Sequence, residues 1–584
     1  MSATGEVTPP GRASASAPAD SDLLERGRAA FESGDLDHAA QAFEEARAAA
    51  PESGAALLGL GKIALQRGDT AQAAALFEQA VGAEPAPPEA SLALARLHDL
   101  AGRNEDALDV LWLAVHRHPE YGEGWFELGK LLGRAGRLKD AEACLERACT
   151  ARPDWHEPSV ELGRTLQRQR RYAEAVTAFK RAVTLGRCRP ETYNDLASCL
   201  AYLQRNDEAL VVLEDLVRKY PRSHVPRLGY ANALFQLGRF DEAGAQYDLV
   251  RAREPDNPFL KWNRSLLLLQ RHQFDEGWRW YEGRLLAQTD DHPRAFPFPR
   301  WRGESLAGKT VLVYAEQGLG DEIMFASCFE ELLAQAGRCV IECAPKLVPI
   351  FTRSFPAATV LAAEERAVPS WLGRLGDVDF QVAAGSLPGV FRRAADRFPG
   401  RPFLQADPAK VARWRRELAR LGTGPKVGIS WRGGTVRTRS VARTIGLADW
   451  APLLGVPGCR FVSLQYGDVA AELQALNAAG TRVAAWREAL DDYDETAALV
   501  CALDLVVTVC TALVHLSGAL GQEAWVLTPS VPEWRYGLEG DRMPWYGSVS
   551  LVRQPRDEPW GPTLERVGRR LAGFAAGRRG AATE

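Results

Sequence analysis

The chain has no long apolar run: none of its hydrophobic stretches approaches the roughly 20 residues that span a bilayer, so a membrane is not expected as its partner. Its start, MSATGEVTPPGRASASAPAD, has no hydrophobic signal core; rich in Ala, Ser, Pro and Gly, residues 1–20 read as a disordered leader. Ten cysteines occur without a CxxC pair. The nearest to a ligand spacing, Cys339 and Cys343, share a strand-like run (CVIEC) with no histidine nearby, which argues against both a zinc site and a disulfide framework. A reducing cytoplasm is the expected compartment. A net charge of -4 leaves little excess of either sign, which argues against nucleic acid or an anionic membrane but leaves local basic clefts open. At 584 residues the chain exceeds one hydrophobic core, and three or four domain-sized units are expected.

What is there first is a repeat. From Gly27 the sequence recurs every 34 residues. A small residue falls at Gly27, Gly61, Ala95, Gly129, Gly163, Ala197 and Ala231, and twelve residues on stands Ala39, Ala73, Ala107, Ala141, Ala175, Ala209 or Ala243. Prolines close the units at Pro51, Pro85, Pro119, Pro153, Pro221 and Pro255, and large apolar residues such as Phe43, Phe77, Leu145 and Tyr247 lie between. This is the pattern of tetratricopeptide repeats: each helical hairpin needs a small residue where its helices cross and leaves its other face for the next unit. An α superhelix with a concave groove for an extended peptide or a partner's helix is expected over residues 21–289. A degraded eighth unit, Lys261–Leu286, carries Trp278, Trp280 and Tyr281, an aromatic excess that predicts packing on the next domain. Asp290–Ser305, proline-rich and aperiodic, predicts a linker over 290–307.

From Lys309 strands and helices alternate, which predicts parallel sheets wound on both faces. Thr310–Ala315 begins one lobe (308–405), with a glycine loop at Glu316–Glu322 and a helix from Ile323. Lys426–Trp431 begins the strands of a second lobe (406–584). Ligands of such sheets sit at the carboxyl ends of the strands. Three loops meet that description. Gly318-Leu319-Gly320-Asp321 presents a carboxylate at a glycine bend; lacking a third glycine, it is no dinucleotide fingerprint. Trp431-Arg432-Gly433-Gly434 sets a guanidinium beside bare backbone, suited to a phosphate oxygen, and Arg437, Arg439 and Arg443 follow. Cys510-Thr511 leaves the buried strand Leu505–Val509 for a helix over Ala512–Leu520, whose unpaired N–H groups suit an anion, with His515 one turn in. The alternatives are an ordinary strand–helix unit with a core histidine and a solvated charge run. Two anion-suited loops facing one carboxylate suggest transfer from a phosphorylated donor.

The residues SWRGG, RTIGLADWAPLL, FVSLQYGD, the Cys510–Gly521 stretch and PEWRYG followed by MPWYGSVSLVRQ resemble the carboxyl half of bacterial tetratricopeptide-fused glycosyltransferases of the two-lobed GT-B fold. Such enzymes are distantly similar to lipopolysaccharide heptosyltransferases and, in layout, to the O-GlcNAc transferase. The nearest resemblance is to the flagellin glycosyltransferase group, which implies repeats that recruit flagellin and a CMP-linked donor of a pseudaminic-type nine-carbon acidic sugar. By that resemblance Asp321 is the general base that takes the acceptor hydroxyl's proton. Gly318, Gly320, Arg432, Gly433, Gln465, Cys510, Thr511 and His515 then hold the donor and its phosphate, with no metal and no further cofactor implied. Where heptosyltransferase-like members carry Asp-Thr after the strand, this chain has Cys510-Thr511, which favours a carboxylated sugar over a heptose or hexose. The expected activity is therefore inverting, metal-independent protein O-glycosylation at Ser or Thr. A peptide-binding scaffold with a degenerate transferase half, and a heptosyltransferase-like enzyme acting on a glycan, stay open as alternatives.

Overall fold

The computed structural model describes residues 18–186, 188–287, 294, 296–434 and 440–580. The leader up to residue 17, linker residues 290–293 and 295, and Arg437 and Arg439 of the basic loop lie outside the described residues. The chain forms two compact units that divide between Leu203 and Gln204, inside the repeat array.

The first unit consists of helical hairpins from Pro18–Glu32 to Pro190–Tyr202. The recurring small residues are there because nothing larger fits. A Cβ on Gly61 would stand 2.4 Å from the Phe77 ring, and one on Gly163 2.7 Å from Phe179. The paired alanines Ala39, Ala73, Ala107, Ala141 and Ala175 are fully buried. Each hairpin turns through one left-handed residue, again every 34 positions: Gly34, Gly68, Gly102, Gly136 and then Arg170 (φ 62°). Arg170 tolerates there a conformation that favours glycine. The sequence has no proline at position 187; Gly186, at φ 87°, caps the preceding helix instead.

The second unit carries the helix Asn206–Lys219, two more hairpins with turns at Gly238 and His272, and then both sheets. Its last hairpin, Pro258–Gln270 and Phe274–Tyr281, packs on the preceding hairpin on one side, where Leu260 and Leu267 meet Leu234 and Tyr247, and on the α/β part on the other. Trp278 is buried against Trp534 and Trp545 and donates its indole N–H to the Arg392 carbonyl (2.9 Å), and Gln270 donates to the Pro532 carbonyl (2.9 Å).

The smaller sheet holds β1 (Thr310–Tyr314), β2 (Arg338–Cys343), β3 (Ala358–Ala362) and β4 (Phe380–Ala383) in the order β3-β2-β1-β4, all parallel. The larger holds β5 (Lys426–Ser430), β6 (Arg460–Ser463), β7 (Val483–Ala484), β8 (Leu505–Val509), β9 (Ala524–Thr528), β10 (Arg542–Met543) and β11 (Tyr546–Arg553). Its order, β10-β11-β9-β8-β5-β6-β7, is the doubly wound dinucleotide-fold order with β10 added antiparallel at one edge. β8 and β9 are buried along their whole length, which is why their β-branched runs were readable as strands. The chain is thus a tetratricopeptide array followed by two Rossmann-like sheets. No helix among the described residues is long and apolar enough to cross a membrane.

One expected boundary is corrected. The helix placed at Ile323 begins at Leu319 and runs to Phe325, so Asp321 lies in its first turn and not in a loop. Gln317, at φ 65°, makes the bend, and Gly318 is the N-cap. Asp321 in the first turn complements the positive end of the helix dipole.

Candidate functional site

In a doubly wound sheet a ligand sits where the strand order reverses, outside the carboxyl ends of the two strands flanking the reversal. In the smaller sheet those strands are β1 and β4, and the chain fills the place itself. Glu316, just past β1, accepts the Gly385 N–H (2.7 Å) just past β4 and pairs with the Arg284 guanidinium (Nε to Oε2, 2.9 Å). Both side chains are buried. Burial disfavours the Arg284 cation, but the Glu316 carboxylate outweighs it and holds the guanidinium pKa above its ordinary value.

In the larger sheet the reversal lies between β5 and β8, and the loops leaving these strands are Trp431–Gly434 and Cys510-Thr511. They touch. A Cβ on Gly433 would stand 2.6 Å from Thr511 Cγ2 and 2.7 Å from the Cys510 carbonyl oxygen, so only glycine permits this approach. Gln465, leaving β6, fixes the first loop: its Oε1 accepts from Ser430 Oγ (3.0 Å), Trp431 N (2.9 Å) and Arg432 N (2.8 Å). The Arg432 side chain turns to Glu472 (2.8 Å) and the Asp468 carbonyl (3.3 Å). Arg443, nearly buried, reaches Glu533 (3.3 Å) and the Cys510 carbonyl (3.4 Å).

Thr511 caps the helix Ala512–Ala519, its hydroxyl accepting the Leu513 N–H (3.1 Å). The Cys510 thiol points inward to the Leu527 carbonyl (3.7 Å), and burial pushes its pKa up, so it stays neutral. His515 is buried beside Tyr546 (Nδ1 to OH, 3.1 Å); burial, with Arg535 nearby, drives its pKa well below the usual range. It is a neutral ring, not a cation for phosphate.

The two sheets meet at Gly320. Its Cβ position lies 2.9 Å from the His515 ring and 3.2 Å from Ala512 Cα, so the helix bearing Asp321 lies directly on the helix that leaves β8. Asp321, from the smaller sheet, forms an ion pair with Arg535, from the segment that follows β9; the side chains are 18% and 14% exposed. Burial opposes the Arg535 cation, yet Asp321 holds its pKa above the ordinary value. The same segment, Pro529–Tyr536, runs from this pair past Glu533 and Arg443 to a cavity of about 480 Å³ at the carboxyl ends of β9 and β11. Gln204, Gln236 and Arg239 of the hairpins line one side of it, and Ser530, Arg556 and Trp560 the other. That volume lies within the range of small-ligand sites. Among the described residues no cluster of His, Cys, Asp and Glu is placed to hold a metal.

Tetratricopeptide repeat family signatures match residues 24–90, 60–111, 92–156, 160–224 and 200–260. Protein FlbA of Caulobacter vibrioides is 33% identical over 406 residues, which cover 66% of this chain and 67% of that protein. The chain belongs to the FlbA family. Among solved structures, Pseudomonas aeruginosa pilF is 17% identical over 36% of this chain and 95% of its own, at a TM-score of 0.32. YrrB, described as a TPR protein with an unusual peptide-binding site, is 19% identical over 31% of this chain and 93% of its own, at a TM-score of 0.26. Neither score carries a functional argument.

In this FlbA-family chain the structure brings Asp321, Gly320, His515 and Thr511 to one junction, and Gly433, Cys510 and Gln465 to the β5–β8 reversal beside it. Arg432 faces Glu472 at the rim. Sequence reasoning missed Arg284 and Glu316. A carboxylate directly after a buried strand, in YAEQGLGD, was a signal for Glu316; Arg284, 32 residues earlier, gave none.

Proposed function

We propose that this protein is a GT-B-type glycosyltransferase that modifies Ser or Thr of a protein acceptor with inversion, the acceptor being recruited by the repeats. The observation that carries the reading is the Asp321–Arg535 pair. A carboxylate from one Rossmann-like sheet is held at the carboxyl edge of the other, next to its strand-order reversal. The smaller sheet's own reversal is filled by Glu316 and Arg284, so the nucleotide belongs to the larger sheet, with Gly433, Gln465 and Thr511 shaping the loops around it. Asp321 takes the proton as the acceptor oxygen attacks the anomeric carbon, and the leaving phosphate departs toward the β5 and β8 loops. In line with the family resemblance, the acceptor is a flagellin and the donor a CMP-linked pseudaminic-type sugar. The neutral, inward-turned Cys510 supports that donor, since no carboxylate stands there to repel an acidic sugar.

The test is co-expression with a candidate flagellin and the enzymes that make the donor, followed by intact-mass measurement of the acceptor. A mass increment equal to whole sugar residues, present only with this protein, is expected; an unmodified acceptor refutes the reading. A second reading, a peptide-binding scaffold, is favoured by one observation: the Asp321 carboxylate is already engaged by Arg535. A cytidine nucleotide that raises the unfolding temperature decides against the scaffold, and no shift with any nucleotide decides for it.

A further inference from the structure

Arg535 has more hydrogen-bonding capacity than its neighbours use. Its Nη2 donates to Asp321 Oδ1, while its buried Nε meets no acceptor among the described residues. Among the described residues, the other arginines of the loop after β5 are engaged elsewhere: Arg432 with Glu472, and Arg443 with Glu533 and the Cys510 carbonyl. Around Arg535 stand Tyr281, Tyr536, Tyr546 and His515, whose perturbed pKa values keep each neutral near pH 7. Among the described residues Asp321 is the carboxylate bonded to it, and the charge of Glu533, two residues earlier, also raises its pKa.

We propose that Arg535 is a specificity-determining residue of this site, and that its guanidinium binds a carboxylate carried on the reacting carbon of the donor sugar. The inference rests on the transferase reading above. For Asp321 to act as base, the acceptor oxygen must lie within hydrogen-bond reach of it and within about 3–3.5 Å of the anomeric carbon. A guanidinium already bonded to that base is one hydrogen bond from the same place. In an aldose donor the anomeric carbon bears hydrogen, and the cation has nothing there to recognise. In a 2-keto acid sugar the anomeric carbon bears a carboxylate, which the planar fork of arginine matches.

The donor phosphate is the other anion available, and the direction of attack argues against it. In an inverting displacement the oxygen–carbon bond forms on the face opposite the breaking carbon–phosphate oxygen bond. The proton goes to Asp321, the nucleotide leaves with the electron pair, and Arg535 stays cationic throughout. A group tied to the base therefore lies on the side away from the phosphate.

The test is calorimetric titration of the full-length protein with CMP-N-acetylneuraminate, CMP alone and UDP-N-acetylglucosamine. Wild type is compared with Arg535→Gln, Arg535→Lys and the double variant Asp321→Asn/Arg535→Gln. The double variant leaves no lone buried carboxylate, so its thermal unfolding separates a lost fold from a lost contact. The expected result is a tenfold to hundredfold loss of CMP-N-acetylneuraminate affinity in Arg535→Gln, the scale of a charge-assisted hydrogen bond. CMP affinity should stay within about twofold of wild type, and Arg535→Lys should fall between. Equal losses for both probes assign the guanidinium to phosphate and overturn the proposal. Unchanged affinity for both reduces Arg535 to a tie between the sheets and also overturns it. Wild type that binds only UDP-N-acetylglucosamine removes the acidic donor and leaves the transferase standing. Wild type that binds no nucleotide removes the transferase itself.

Discussion

Gly320→Ala probes the junction between the sheets with a single methyl group. The new Cβ would stand 2.9 Å from His515 Cδ2 and 3.2 Å from Ala512 Cα, where carbon–carbon contacts normally lie at about 3.5–4.0 Å. Something must retreat by about 0.5–1 Å. The His515 ring cannot do so cheaply, because it is buried and bonded to Tyr546, and Ala512 is helix backbone. The helix Leu319–Phe325 therefore moves and takes Asp321 with it. Overpacking of this kind costs about 1–3 kcal/mol, so a modest fall in the unfolding midpoint is expected. A misplacement near 1 Å of a reacting group costs about a hundredfold in rate. Transfer followed by acceptor mass should fall by about that factor, while nucleotide affinity at the larger sheet changes little and the circular dichroism spectrum is retained. Full transfer at unchanged stability would show that the two helices do not lie together in the folded protein, and would refute the geometry on which the role proposed for Asp321 depends.

Three further outcomes follow from the same packing. Arg284→Met leaves Glu316 buried and unpaired and should cost about 3–5 kcal/mol in denaturant unfolding, whereas Arg284→Met/Glu316→Gln should recover most of it; equal losses would mean the pair is not coupled. Arg170→Gly removes an exposed side chain from a left-handed turn and should stabilise the first unit by up to about 1 kcal/mol, read as a raised midpoint; a lower midpoint would contradict that backbone assignment. Burial pushes the Glu322 carboxyl up to about 7, with the Ala344 N–H and Glu342 as lesser influences. Its folded state therefore binds more protons than its unfolded state between about pH 4.5 and 7, and stability is lost as pH rises through that window. Glu322→Gln should accordingly raise stability most above pH 7 and least below about pH 5; a pH-independent effect would contradict the burial.

The repeats were legible because each constraint recurs. A glycine that admits Phe77 at one crossing admits Phe179 at another, and a period of 34 averages out local noise. The left-handed turn recurs as faithfully but stayed hidden, since Arg170, Gln204 and His272 stand where the other units have glycine. Strands such as β8 were legible because burial on both faces demands an uninterrupted apolar run. The short β10 and the Gly- and Ser-bearing β11 lack such a run and were not read as strands. The glycines of Gly318–Asp321 read as a loop although the helix begins among them. Local pattern correctly marked the helix start after Cys510, but not which way its side chains point: Leu527 takes the thiol and Tyr546 takes the His515 ring. The Asp321–Arg535 pair joins residues 214 apart, and no local periodicity encodes such a partner.

The central claim is that Asp321 removes the acceptor proton. Asp321→Asn keeps the shape of the side chain and removes its basicity, so the purified variant should unfold cooperatively, bind donor nucleotide and acceptor as wild type does, and transfer sugar at least a hundredfold more slowly. Single-turnover transfer by Asp321→Asn at the wild-type rate would contradict the account.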